Sequence, residues 1–89
     1  MHETALQILA YLAENPDAGD TAEGIAEWWL PAGAVRPRLA SVERALAELT
    51  AEGWLSASRG ADARTRYRLA PGKTDGAAAA EALRQERRP

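Results

Sequence analysis

The sequence predicts a mainly α-helical domain of three helices that closes on a small β-hairpin, and three observations carry that prediction. Apolar residues recur at i, i+3, i+4 and i+7 in two long stretches, Ala5-Ile8-Leu9-Leu12 and Val42-Ala45-Leu46-Leu49, the spacing that lines one face of an α-helix. A shorter stretch, Ala22-Ile25-Ala26-Trp29, repeats the pattern. After Gly53 the period changes to two: Trp54 to Arg59 reads as a strand, Arg59 to Arg64 as a turn, and Thr65 to Leu69 as a returning strand.

The first helix is expected over residues 3 to 14, with Leu6 widening its stripe and Tyr11 at the core edge. Asn15-Pro16 ends it, because the residue before a proline is disfavoured in the α region. Asp17-Ala18-Gly19-Asp20 reads as a turn, and Asp20 with Glu23 approximates a capping box for the second helix. That helix must stop near Leu30, since Pro31 follows. Trp28 and Trp29 lie about 100° apart around it, so placing Trp29 in the core leaves Trp28 at the boundary, packed under the neighbouring loop or exposed as a contact surface. Residues 31 to 38 lead to a third helix that begins as early as Arg38, a connection longer than a compact helix-turn-helix turn.

Gly53 stands where that helix needs a residue free to take positive φ. In the returning strand, alternation puts Arg64, Arg66 and Arg68 on one face opposite Tyr67 and Leu69. Ala70 to Gly76 reads as a linker, and the remainder is alanine-rich with Leu83 as its only large apolar residue. An isolated helix of that length is marginal in water. The chain is therefore read as a domain over residues 1 to 70 and a tail over 71 to 89, a frayed helix or disordered; docking of Leu83 onto the domain or a second subunit is the alternative.

About seventy residues support one small core. Of the 89 residues 21 are alanine, while phenylalanine is absent, so three tryptophans and two tyrosines must supply much of the core volume. The expected core is Leu9, Leu12, Ile25, Trp29, Val42, Leu46, Leu49, Leu55, Tyr67 and Leu69. There is no cysteine and the single histidine is His2, which removes thiolate metal sites and histidine-based catalysis. No Gly-rich phosphate loop and no metal-spaced ligand set occurs, so neither enzyme activity, nor a cofactor, nor a metal is expected. No apolar run approaches the roughly 20 residues that span a bilayer, and a soluble cytoplasmic protein without a membrane partner is the expectation.

Charge is distributed unevenly. Residues 1 to 34 carry six acidic side chains and no Lys or Arg, a charge of −6, whereas residues 35 to 89 carry eleven basic against seven acidic, a charge of +4. A basic patch on a protein of net charge −2 suits an anionic partner such as a nucleic acid; the alternative is that these arginines are solvated surface.

The order Val42, Leu46, Leu49, Gly53, Leu55, then Arg59-Gly60, Asp62, Arg64, Tyr67 and Leu69, resembles the recognition helix and wing of bacterial winged helix-turn-helix regulators. The resemblance covers about residues 3 to 70. It implies a three-helix winged helix-turn-helix fold and a small transcriptional regulator that binds double-stranded DNA. It assigns base contact to the N-terminal half of the third helix, where Ser41 and Arg44 match groove-facing positions, with Arg36 and Arg38 just before it. Arg59, Arg64, Arg66 and Arg68 would serve the wing, along the backbone or in the minor groove. Glu43, Glu48 and Glu52 make the same helix acidic. Winged helices also serve as protein-binding modules, so the alternative is an interaction or oligomerisation module, a homodimer or a complex with another protein, that uses Trp28 and Leu83 without DNA.

Overall fold

The computed structural model describes residues 3–30, 38–73 and 76–86. Helix α1 spans Glu3–Glu14 and buries Ala5, Leu6, Ile8, Leu9 and Leu12. It ends on Asn15, whose backbone N–H and side-chain amide both donate to the Tyr11 carbonyl, at 2.8 and 3.0 Å. A three-residue strand β1, Gly19–Thr21, leads into α2, Ala22–Gly24, which continues as a π-helical turn over Ile25–Trp29. Thr21, not Asp20, caps this helix: its hydroxyl accepts the Gly24 N–H at 3.2 Å. The Asp20 carboxylate instead accepts the Thr21 N–H at 2.7 Å, because Asp20 is already paired into the sheet.

Helix α3, Leu39–Ala51, turns Val42, Ala45, Leu46 and Leu49 inward. Gly53 takes φ +86°, and the Trp54 N–H reaches back to the Leu49 carbonyl at 2.9 Å while the Gly53 N–H meets Thr50 at 3.1 Å. This pair of bonds is a Schellman closure, which satisfies carbonyls that the helix end leaves without partners. It also points the chain directly into β2, Leu55–Arg59, which pairs antiparallel with β3, Thr65–Leu69.

The expected two-stranded hairpin is one part of a three-stranded antiparallel sheet in the order β1-β3-β2. Gly19, Asp20 and Thr21 pair with Arg68, Tyr67 and Arg66. The residues read as a turn form a strand because the second edge of β3 offers them backbone partners, a tertiary effect with no local propensity behind it.

Helix α4, Ala77–Glu86, corrects the expectation of a frayed or disordered tail. It lies along α1 with Ala79 fully buried, and Leu83 packs partly buried against the core. The reason is close approach: a Cβ on Gly76 would stand 2.8 Å from the Ala13 carbonyl oxygen, so glycine lets the α4 start touch the end of α1. Small side chains then pack where a leucine face is lacking.

Every expected core residue is buried except Tyr67, which is half-buried at the core edge. Tyr11 also lies at that edge and stacks on Trp29, with ring centroids 4.6 Å apart and planes at 14°. Among the described residues, no helix is long and apolar enough to cross a membrane.

Candidate nucleic-acid interface

Two elements contribute side chains to the candidate surface: the outward face of α3 and the hairpin beyond its buried base. Leu55 and Leu69 anchor that base in the core, and burial falls away toward the tip, where Ala57, Ser58, Arg59 and residues 61 to 64 are exposed. The hairpin's cations are therefore carried out into solvent on a stalk of backbone hydrogen bonds. On α3 the exposed residues include Glu43, Arg44, Ala47, Glu48 and Glu52, with Ser41 half-buried. Arg38 is exposed at the helix start, and its carbonyl accepts the Ser41 and Val42 N–H groups at 2.9 and 3.1 Å. Arg36 lies outside the described residues.

The four hairpin arginines are not equivalent. Arg66 reaches back across the tip to Asp62 in a two-pronged pair, Nη2 to Oδ2 at 2.9 Å and Nη1 to Oδ1 at 3.2 Å. Asp62 Oδ1 also accepts the Arg64 N–H at 3.1 Å. Together these donors, Arg66 first, hold the Asp62 carboxyl down at about 2, and the carboxylate in turn pushes Arg66 up. Among the described residues Arg59, Arg64 and Arg68 make no ion pair.

The arginines also separate in space. Arg64 borders a cleft of about 450 Å³ with Glu23 of α2, Glu43 of α3, and Thr65 and Tyr67 of β3. Arg59 stands directly opposite Thr65, so it belongs to the same face of the sheet. Arg66 and Arg68 line a second depression, of about 290 Å³, with Asp17, Gly19, Ser58 and Tyr67, and Tyr67 borders both. Ala63 takes φ +65°, the Asp62 carboxylate bonds the Arg64 N–H, and the Arg64 carbonyl accepts the Gly60 N–H at 2.9 Å, so the turn closes on Arg64 in continuous register with the ladder.

On α3, Ser41, Arg44, Ala45 and Glu48 line a small hollow of about 40 Å³. Arg44 makes no ion pair among the described residues, so Glu48 one turn away does not neutralise it. The two residues of the interaction alternative part company. Trp28 is 75% exposed, outside the core at a position where loop packing was the commoner expectation. Leu83 is occupied by its own core through α4.

Sequence reasoning assigned Glu23 to a cap and Asp62 to no role, whereas one enters the cleft and the other clamps Arg66. The Asp62–Arg66 pair spans a turn, where four-residue spacing carries no helical meaning, so the sequence held no signal for it. Comparison with protein-family models, with curated proteins and with solved structures found no match.

Proposed function

We propose that the chain is a winged helix-turn-helix DNA-binding protein that holds duplex DNA chiefly by its phosphates, through the wing arginines Arg59 and Arg64, with Arg44 of α3 as its base-reading side chain. One observation carries the reading: α3, with Arg44 on its exposed side, leads through a single glycine turn into a hairpin whose Arg59 and Arg64 are exposed, Arg64 on the border of a cleft that Glu43 of α3 also lines. Cations carried beyond the body of a small domain can follow a phosphate backbone, which supplies most of the sequence-independent affinity for a duplex. Arg66 contributes less, because its charge is already matched by Asp62.

The exposed Glu43, Glu48 and Glu52 set the character of this binding. They oppose close approach of phosphates along most of α3 and leave Arg44 to discriminate. The reading is therefore of a weakly selective binder.

Fluorescence anisotropy with a random duplex and with a selected site, at two salt concentrations, tests it. Replacing Arg59 and Arg64 with alanine lowers affinity for all duplexes alike and shrinks the logarithmic salt slope by about 0.9 per lost contact. Arg44→Ala costs about 1 to 3 kcal/mol of discrimination between sites. Trp28→Ala leaves both unchanged. If the double wing variant binds like the parent at low salt, the arginines are solvated surface and the reading fails. The exposed Trp28 then becomes the basis of the alternative, a protein-interaction module.

A further inference from the structure

The sheet has one edge whose outer half is open to solvent: on β2 Ala57, Ser58 and Arg59 are exposed, while Leu55 at the base is buried. Strand β3 is paired on both sides, by β1 and by β2, while β2 is paired only with β3. The direction of the β2 backbone groups follows from the bonds at its two ends. Gly60 N–H donates to the Arg64 carbonyl and Ala70 N–H to the Trp54 carbonyl, both at 2.9 Å, so pairs 60:64 and 54:70 are hydrogen-bonded. Bonded pairs alternate in an antiparallel ladder. Ser56 and Ser58 therefore face β3, and Leu55, Ala57 and Arg59 direct their N–H and C=O groups outward.

Sheet edges are commonly blunted by proline, lysine or a bulge. The β2 edge has no proline, lysine or bulge and carries its one charge at the end, on Arg59: its five residues pair in continuous register, and its middle is Ser56, Ala57 and Ser58, whose side chains are too small to bar an incoming strand. Charge selects what could add there. Ser56 lies directly opposite Arg68 and Ser58 directly opposite Arg66, so the outer face behind the edge is basic. Neighbouring strands lie about 4.8 Å apart, which puts a guest strand about 10 Å from β3, within reach of an arginine side chain leaning over a serine. A second copy of this chain paired through Ala57 would double the arginines on one continuous face and so repel itself.

We propose that the free edge of β2 binds an extended segment of a partner protein with acidic side chains at alternate positions, which adds as a fourth strand. The outward groups of Ala57 and Arg59, both exposed, supply the backbone hydrogen bonds. Arg68, which makes no ion pair among the described residues, receives the guest carboxylate, with Arg66 beside it once it exchanges Asp62 for the guest. The arginines of this surface, Arg66 and Arg68, lie on the face of the sheet opposite Tyr67 and Leu69, and the two readings meet at Arg59, whose backbone bonds the guest strand and whose side chain serves DNA.

A labelled peptide of alternating glutamate and valine, with an alternating lysine and valine control, tests the proposal by anisotropy on the full chain. The acidic peptide binds and the basic one does not, and the amides of Ala57 and Arg59 gain protection from hydrogen exchange. Ala57→Pro removes an outward donor and no bond to β3, and weakens binding by about tenfold. Arg68→Glu is the second variant, checked by circular dichroism for an intact fold, and it reverses the preference toward the basic peptide. The proposal is overturned if neither peptide binds, if both variants bind the acidic peptide like the parent, or if sedimentation shows copies of the chain joined through β2.

Discussion

The helical body and the hairpin of this protein are held by different physics. In the body, Ile8, Leu9, Leu12, Ile25, Val42, Leu46 and Leu49 are fully buried, and stability rests on apolar area removed from water. In the hairpin only the base, Leu55 and Leu69, shares that core; the outer half depends on a backbone ladder, a left-handed Ala63 and one carboxylate with its donors. Regions with few buried contacts open first. The comparison teaches that the exposed arginines of the hairpin sit on the part with fewer buried contacts, where losing them costs the fold little.

The largest test of that division is Leu46→Ala. Truncating a fully buried leucine at the centre of α3 is expected to destabilise the protein by about 2 to 5 kcal/mol. Chemical denaturation measures it. An unchanged midpoint would break the comparison, since the body would then not depend on its leucine packing.

A middle-sized effect separates two parts of the body itself. Gly76 has φ +75°, and an added Cβ would crowd the Ala13 carbonyl at 2.8 Å. Left-handed backbone alone costs a non-glycine residue about 1 to 2 kcal/mol, so Gly76→Ala is expected to lose at least that and to free α4 before the rest unfolds. Hydrogen exchange should accelerate in Ala77–Glu86 and leave the amides of α3 protected. Uniform acceleration would mean that α4 and the body open as one unit.

The contrast also explains what was legible in the sequence. Helices α1 and α3 were readable because leucine, isoleucine and valine at helical spacing leave one geometric solution, and Gly53 marked the end of α3 without ambiguity. The hairpin was readable from its change of period. Helix α4 was readable only as an alternative, docking through Leu83, because much of its contact is made by Ala79 and by a glycine that permits close approach, and alanine looks the same in a docked helix as in a frayed one. Strand β1 escaped for a related reason: Gly19-Asp20-Thr21 has no strand pattern and exists through its partner. In the candidate site the arginines could be named, but which of them is matched by an acid depended on Asp62 at the tip, a matter of turn geometry. The place of Trp28, which only the fold of the π-helical turn decides, was open for the same cause.

The smallest expected effect lies at that tip and concerns acid. A carboxyl held below its ordinary value stabilises the folded state above that ordinary value and loses the contribution as pH falls through the folded one. For Asp62 the window runs from 3.8 down to about 2. Arg66 remains cationic throughout, so one titration governs the pair. Both side chains are 46% exposed, and exposed pairs contribute little, so the readout should be local. The Asp62 carboxyl carbon followed by NMR should titrate near 2, with the Arg66 side-chain signals moving in the same window, and Asp62→Asn should abolish that movement. A midpoint at the ordinary value would mean that the pair does not hold in solution. Arg66 would then stand free beside Arg68, the outer face would be more basic at neutral pH, and the hairpin would keep only its backbone ladder against a body built on leucine.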